Sequence, residues 1–429
     1  MTDLCQRIAF WALQFQPDVQ LLAMARQYLR DYAGCVAAGS QRAELAPALM
    51  LARSGSIAVW GRAETFDAPS AALLYGTAGS LLQLHDVYAP AGIHPGCAVI
   101  SAALVAHALR PVPAVTLLRA IVVGYEICNR IGDACQPGQS QAGSTPTATA
   151  GALGATVAAG LISGYDAPAI ARALSLATML APQMPGVAVR AHAEAVPLHG
   201  GLAARAAIEA MLLAPATGAL PSVLEGDGRM AGFLSLLRGE ASRVQPESWD
   251  GSSLQAVIGK RWPACFGSYA ALEAVLSLPR APEAAIRSLR VGLPGRLLPI
   301  IETGPAAGGL YDRLMSVRWA LARTLEQGSL DWRHVDDEPA TRRLAARISV
   351  YHDVALDSFS AQVLAANIEL DTGAVQRCEW RRALSAPGES TVCSTMRHDQ
   401  PQWWQAKFVD LTGATPEVVC SVDALLSEG

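Results

Sequence analysis

Over its first 250 residues the chain runs through one apolar segment after another, and Ala and Gly dominate them. Residues 18–38 place Leu21, Leu22, Met24, Ala25, Tyr28, Leu29 and Tyr32 at helical spacing. Residues 99–109 read as a nearly continuous apolar helix, and 116–131 as another with Thr116 as its N-cap. Residues 167–180 and 199–213 complete the set. Small side chains let helix axes approach closely, so the expected architecture is a helical bundle with several members buried all round. The longest uncharged run, 134–165, begins polar and loop-like. Its second half, 147–164, is built from Ala, Gly and Thr, too poor in large apolar residues for a membrane span, and reads as a buried core helix.

The pattern changes near 249–260. Short alternating runs at 286–293, 346–351 and 362–370 predict strands, and 263–278 and 311–327 predict helices between them. The tail, 403–411 and 416–426, turns helical again and is expected to pack back on the first unit. These shifts divide the chain into a helical domain over 1–259, a smaller α+β domain over 260–390, and C-terminal helices over 391–429. A chain of 429 residues is long enough for two cores.

Hydrophobic residues make up 51% and charged residues 16%, which implies a large buried fraction or a surface covered by a second subunit. A net charge of −4 argues against a nucleic-acid partner. Nine scattered cysteines (5, 35, 97, 128, 135, 265, 378, 393 and 420) form no C-x-x-C pair and read as free thiols of a reducing cytoplasm. Asp3, Arg7, Gln14 and Gln16 interrupt the N-terminal apolar segment, so no secretory leader is expected.

Chemistry concentrates in residues 70–96, where a helix-like run enters a polar loop carrying His85, Asp86, Tyr88 and His94. That is an acid/base set at a helix end. No G-x-G-x-x-G, P-loop, H-E-x-x-H or clustered Cys/His spacing occurs, so no cofactor or metal is expected. His107, His334, His352 and His398 lack context and read as structural or exposed.

Ala71-Ala-Leu-Leu-Tyr-Gly followed by Leu82-Gln-Leu-His-Asp, then His94-Pro95-Gly96 and the run 118–132, carry a resemblance to the MmgE/PrpD family that extends along nearly the whole chain. Arg30-Asp-Tyr-Ala-Gly-Cys-Val-Ala-Ala-Gly is similar to that family's first helix. Ala71-Ala-Leu-Leu-Tyr-Gly with Leu82-Gln-Leu-His-Asp resembles its A-A-x-x-N-G…H-x-L-D-x-D-D-T stretch, and His94-Pro95-Gly96 its H-P-[SG]. Leu118-Arg-Ala-Ile-Val-Val-Gly-Tyr-Glu-Ile-Cys-Asn-Arg-Ile-Gly is the most specific match. Pro146-Thr with Gly151-Ala-Leu-Gly-Ala, Pro197-Leu-His-Gly-Gly-Leu-Ala-Ala-Arg, Pro263-Ala-Cys265, residues 370–380 and Lys407-Phe408 follow in family order. The resemblance implies a mainly α protein, with an all-helical large domain plus a smaller α+β lid domain. It also implies a homodimer formed through the helical domain and a site between the two domains.

The departures fall on polar positions. Gln83 and His85 stand where the family has the first two Asp of its loop, and Val87 replaces a Thr. Thr145 replaces a His, Val196 a Lys, Tyr269 a His and Trp319 a Tyr. The family's shared step moves a proton at a carbon beside a carboxyl or carbonyl group, without a cofactor. The resemblance and its departures together imply an acid/base lyase or isomerase with altered chemistry. Its substrate would be small and weakly charged: a monoacid, ester, thioester or natural-product intermediate rather than a tricarboxylate. The expected catalytic set is His94, Asp86, Tyr88, His85 and Tyr269. The expected substrate-binding set is Gln83, Thr145, Arg190, His192, His199, Lys260, Arg261 and Trp319. The alternative from a different class is an inactive relative that binds a small molecule or serves as a subunit. A membrane or nucleic-acid role is not expected.

Overall fold

A computed structural model describes residues 3–221, 223–302, 308–358, 363–383, 401–413 and 416–427. The first part is helical. It comprises α1 (Leu4–Gln14), α2 (Val19–Ser40), α3 (Ala68–Leu81), α4 (Gly96–Leu109), α5 (Ala114–Cys135), α6 (Pro146–Ile162), α7 (Ala167–Leu180) and α8 (Leu198–Leu213). Asp3, Asp18, Asp67 and Asp166 each cap a helix by accepting an amide hydrogen bond in its first turn. Thr116 does not cap α5, which starts two residues earlier at Ala114 after the extended Pro113. A proline needs no amide partner at a helix start, so the chain enters the helix there.

All 17 residues of α6 are buried, which fits its Ala, Gly and Thr composition. A close helix crossing joins α3 and α8. A Cβ at Gly76 would lie 2.6 Å from Gly201 Cα, and one at Gly201 only 2.2 Å from the Leu73 carbonyl oxygen. Glycine is required at both positions by contact distance rather than by backbone angle. Among the described residues no helix is long and apolar enough to cross a membrane.

A second hydrophobic core is built mainly from residues between Ile258 and Leu370, joined by Cys35, Ala38, Leu82, Leu84 and Val87 of the helical part. It contains α9 (Tyr269–Leu276), α10 (Leu310–Met315) and α11 (Val317–Gln327). The run predicted as one helix over 311–327 breaks at Ser316, whose extended backbone lets its hydroxyl accept from the Trp319 amide and cap α11. Four strands form one sheet: β1 (Ser288–Leu293), β2 (Ile348–His352), β3 (Val363–Asp371) and β4 (Val375–Ala383). Their order is β4-β3-β1-β2, with β1 and β2 parallel and the other pairs antiparallel. The fold is thus mainly α, a helical body carrying a smaller α+β unit.

The tail forms α12 (Pro401–Thr412) and α13 (Pro416–Ser427). Trp404, Phe408, Val418, Val422 and Leu426 enter the first core, while Leu411 enters the second. Residues 391–400, including Cys393 and His398, lie outside the described residues. A short antiparallel pairing of Val87–Tyr88 with Val257–Ile258 ties the 83–96 loop to the start of the second unit.

Candidate active site

The loop after α3 is shaped by one unusual residue. Gln83 is 7% exposed and has φ 52°, a left-handed conformation that a non-glycine side chain adopts at a cost. The chain then turns through His85 and Asp86 and pairs Tyr88 with Ile93 across a tight turn. Asp86 closes the loop from within. Its Oδ1 accepts from the Gly96 amide at 3.1 Å, and its Oδ2 accepts from the Tyr125 hydroxyl at 2.6 Å. A Cβ at residue 96 would meet the Tyr125 oxygen at 2.7 Å, so the Gly of His94-Pro95-Gly96 makes room for that bond. Burial pushes the Asp86 carboxyl up to about 7 against these hydrogen bonds.

His94 Nδ1 lies 2.6 Å from the Asp86 carbonyl oxygen. A carbonyl only accepts, so Nδ1 carries the proton and Nε2 carries the lone pair. The His94 ring packs 4.4 Å from that of His85. Burial, then the Lys260 charge, brings His94 down to about 3. Burial, reinforced by His94 and Lys260, holds His85 well below the usual imidazole range. His199, at the start of α8, falls to about 4 through burial. Two ring nitrogens here, His85 Nδ1 and His199 Nε2, are buried with no hydrogen-bond partner.

These three histidines line one cavity of about 410 Å³, a size suited to a small ligand. Gln83 and Thr145 line it too, and Val196 stands in its wall. Apolar side chains make up most of the lining, including Val87, Ala89, Val189, Leu297, Ile300 and Met315. Lys260 is fully buried just beneath, with Nζ donating to the Ala264 carbonyl at 3.2 Å and to Gln83 Oε1 at 3.4 Å. Burial lowers its ammonium to about 8. Among the described residues, no three His, Cys, Asp or Glu side chains are grouped so as to hold a metal ion.

Several expected residues are not in the cavity wall. The Asp86 carboxylate is buried beneath it, committed to Tyr125 and Gly96. Tyr88 donates its hydroxyl to Asp133 at 2.8 Å. Tyr269 is fully buried in the second core, its hydroxyl held between the Trp262 amide and carbonyl, each at 2.9 Å. Trp319 is buried in that same core. His192 is clamped at both ring nitrogens, by Asp312 Oδ1 at 2.8 Å and the Ile300 carbonyl at 2.7 Å, joining the 184–199 segment to the second unit. Arg190 is exposed, and Arg261 is exposed with its guanidinium over the Trp262 ring. The sequence pattern brings these polar side chains near the site but does not fix which way each one turns.

The lining also includes residues outside the expected set, among them Cys97, Cys265, Arg296 and Tyr311. Of these, only Cys265 had a signal, as part of Pro263-Ala-Cys265. A further charged group, Lys407 on α12, forms an ion pair with the buried Asp31 and donates to the Leu84 carbonyl at 3.0 Å. The tail thus braces the backbone between Gln83 and His85.

Residues 5–240 match the family model of the MmgE/PrpD N-terminal domain. That span holds His85, His94 and His199 and ends before Lys260 and Cys265. Among curated proteins, none matches the chain. With more than half of its length under that model, and with the helical body and the loop geometry just described, the chain belongs to the MmgE/PrpD family.

Proposed function

We propose that this protein is a cofactor-independent acid/base enzyme, a lyase or isomerase that moves a proton at a carbon beside a carboxyl or carbonyl group. The observation that carries the reading is the His94 tautomer. Its Nδ1–H is committed to the Asp86 carbonyl, so its Nε2 presents a lone pair in a cavity-lining ring. His94 takes the proton from carbon as base. His85 Nδ1 and His199 Nε2, buried without partners, hydrogen-bond the carbonyl or enolate oxygen. Asp86 acts through His94 as a positioning residue.

The lining supports a small, weakly charged substrate: a monocarboxylate, ester or thioester. Neither ammonium lines the cavity, Lys260 bonding to Gln83 and Lys407 pairing with Asp31, and Val196 leaves its part of the wall uncharged. An anionic substrate or enolate favours the protonated imidazole, so it raises the depressed His94 and brings its basicity toward the working range. The site lies between the helical body and the α+β unit, and closure of the latter as a lid would exclude water. A cytoplasmic homodimer fits the family and the apolar composition.

The alternative, a relative that binds a small molecule without turnover, draws on the burial of Tyr269 and Trp319 away from the cavity. Solvent deuterium incorporation separates the two. The protein is incubated in D2O with small carboxylates, their esters and their thioesters, and exchange at the carbon beside the carbonyl is read by mass spectrometry. Exchange is expected to fall roughly 10²–10⁴-fold in His94→Ala with the fold retained. Undiminished exchange in that variant removes His94 from the mechanism, and no exchange across the panel in the wild type favours the binding role.

A further inference from the structure

The helical body supplies His85, His94 and His199 to the cavity. From the second unit, the titratable lining residues are Cys265, Arg296 and Tyr311. A base on carbon needs an acid to complete an isomerisation or an elimination. Tyr269, the acid candidate in the sequence, is buried in the second core with its hydroxyl held by Trp262. Arg296 does not release its proton in a protein. Burial pushes the Tyr311 hydroxyl up, and Cys265 and Glu194 push it the same way.

Cys265 is better placed. Its backbone amide donates to the Leu314 carbonyl at 2.8 Å, fixing the residue where Val196, Tyr311 and Met315 pack together. Burial raises the thiol, while the Lys260 charge and the Gly267 amide favour its thiolate. Lys260 donates to the carbonyl of the preceding residue, Ala264. The other cavity thiol, Cys97, differs in both respects. Its Sγ donates to the His94 carbonyl at 3.0 Å, and burial beside Asp86 drives it up to about 12. The cavity that Cys265 lines also contains the unpartnered His85 Nδ1 and His199 Nε2, on side chains 3% and 6% exposed, which marks it as a ligand site.

Building on the acid/base reading above, we infer that Cys265 is the second proton-transfer residue of this cavity, serving the face of the bound carbon acid turned away from His94. His94 Nε2 takes the proton as the C–H bond breaks, and the electron pair passes to the carbon and its carbonyl oxygen. The Cys265 S–H then breaks as a new C–H bond forms on the other face. The imidazolium and thiolate left behind return to neutral by passing one proton through solvent at product release. No oxidant, reductant or co-reactant enters.

Two measurements test this. The native full-length protein is alkylated with iodoacetamide over roughly pH 7–10 and the labelled peptides are quantified by mass spectrometry. Cys265 is expected to react at least about tenfold faster than Cys97, and Lys260→Met is expected to move its pH midpoint upward. Labelling of Cys265 no faster than Cys97 overturns the inference, and the wild-type comparison stands even if the Lys260 variant does not fold. The second probe is one enantiomer of the 2-methylbutanoyl thioester of N-acetylcysteamine in D2O. Cys265→Ser is expected to keep deuterium exchange through His94 but lose inversion by about 100-fold, whereas His94→Gln loses both. Inversion by Cys265→Ser within about threefold of wild type also overturns the inference. A wild type that neither exchanges nor inverts this thioester counts against the acid/base reading, while alkylation decides the state of the thiol independently of turnover.

Discussion

Replacing Lys407 by Met tests how the C-terminal helix supports the site. The Lys407 and Asp31 side chains are 8% and 2% exposed, and Lys407 also donates to the Leu84 carbonyl at 3.0 Å. Methionine retains most of the apolar stem but removes the charge and both contacts. Deleting one partner of a buried ion pair costs about 3–5 kcal/mol, because the remaining charge stays desolvated. For a chain of 429 residues that corresponds to a fall in Tm of roughly 3–6 °C. The loss should depend on pH. Burial already raises the Asp31 carboxyl, and Lys407 is the main influence pulling it down. A carboxyl raised in the folded state favours folding below its unfolded pKa and loses that contribution as pH rises through the folded value. Without Lys407 the folded value climbs further, so Lys407→Met should lose less stability at mildly acidic pH than at pH 8. The assay is differential scanning calorimetry of Lys407→Met, Asp31→Asn and the double variant at both pH values. The double variant should recover at least half of the loss, because no buried charge is left unpaired. A Tm for Lys407→Met within about 2 °C of wild type, or a double variant equal to the sum of the singles, would refute the reasoning.

Asp86→Asn should flatten the dependence of stability on pH. With its carboxyl raised from 3.8 to about 7, the wild type loses this contribution as pH rises across that window, so the variant gains relative to it at pH 8 in a thermal scan; an unchanged pH profile counts against the assignment. Gly201→Ala should destabilise by about 1–3 kcal/mol, because its methyl would press on the Leu73 carbonyl across the α3–α8 contact; a neutral denaturation midpoint would show that the contact relaxes freely. Tyr269→Phe should lower stability by about 1–2 kcal/mol through the lost bonds to Trp262, while kcat and KM on any substrate found stay within about twofold; a large fall in kcat at constant KM would return Tyr269 to the site.

The helical body was legible because its signals are local. Apolar spacing marks α2 and the uncharged Ala, Gly and Thr run marks α6, whereas the aspartate caps of α2 and α7 were seen only in the structure. The α+β unit was legible through period-two alternation, although the break at Ser316 was not, since one extended residue leaves little trace in an apolar helical pattern. His94, His85, His199, Gln83 and Thr145, which line the cavity, sit on a loop and helix starts that have recognisable sequence frames. What sequence could not supply was side-chain direction. Tyr88, Tyr269, His192 and Trp319 are polar or aromatic at plausible positions, yet hydrogen bonds or packing to distant segments turn each into structure. The cavity-lining Cys265 and the Lys407 brace depend on contacts between segments far apart in sequence, of which the 323-residue reach from Lys407 to Leu84 is the extreme. Sequence by itself therefore determined the fold class and the family frame, both written in local spacing. Only the tertiary structure decided which groups share the cavity, which are neutral there, and which are held beneath it, because burial and long-range pairing set both orientation and charge.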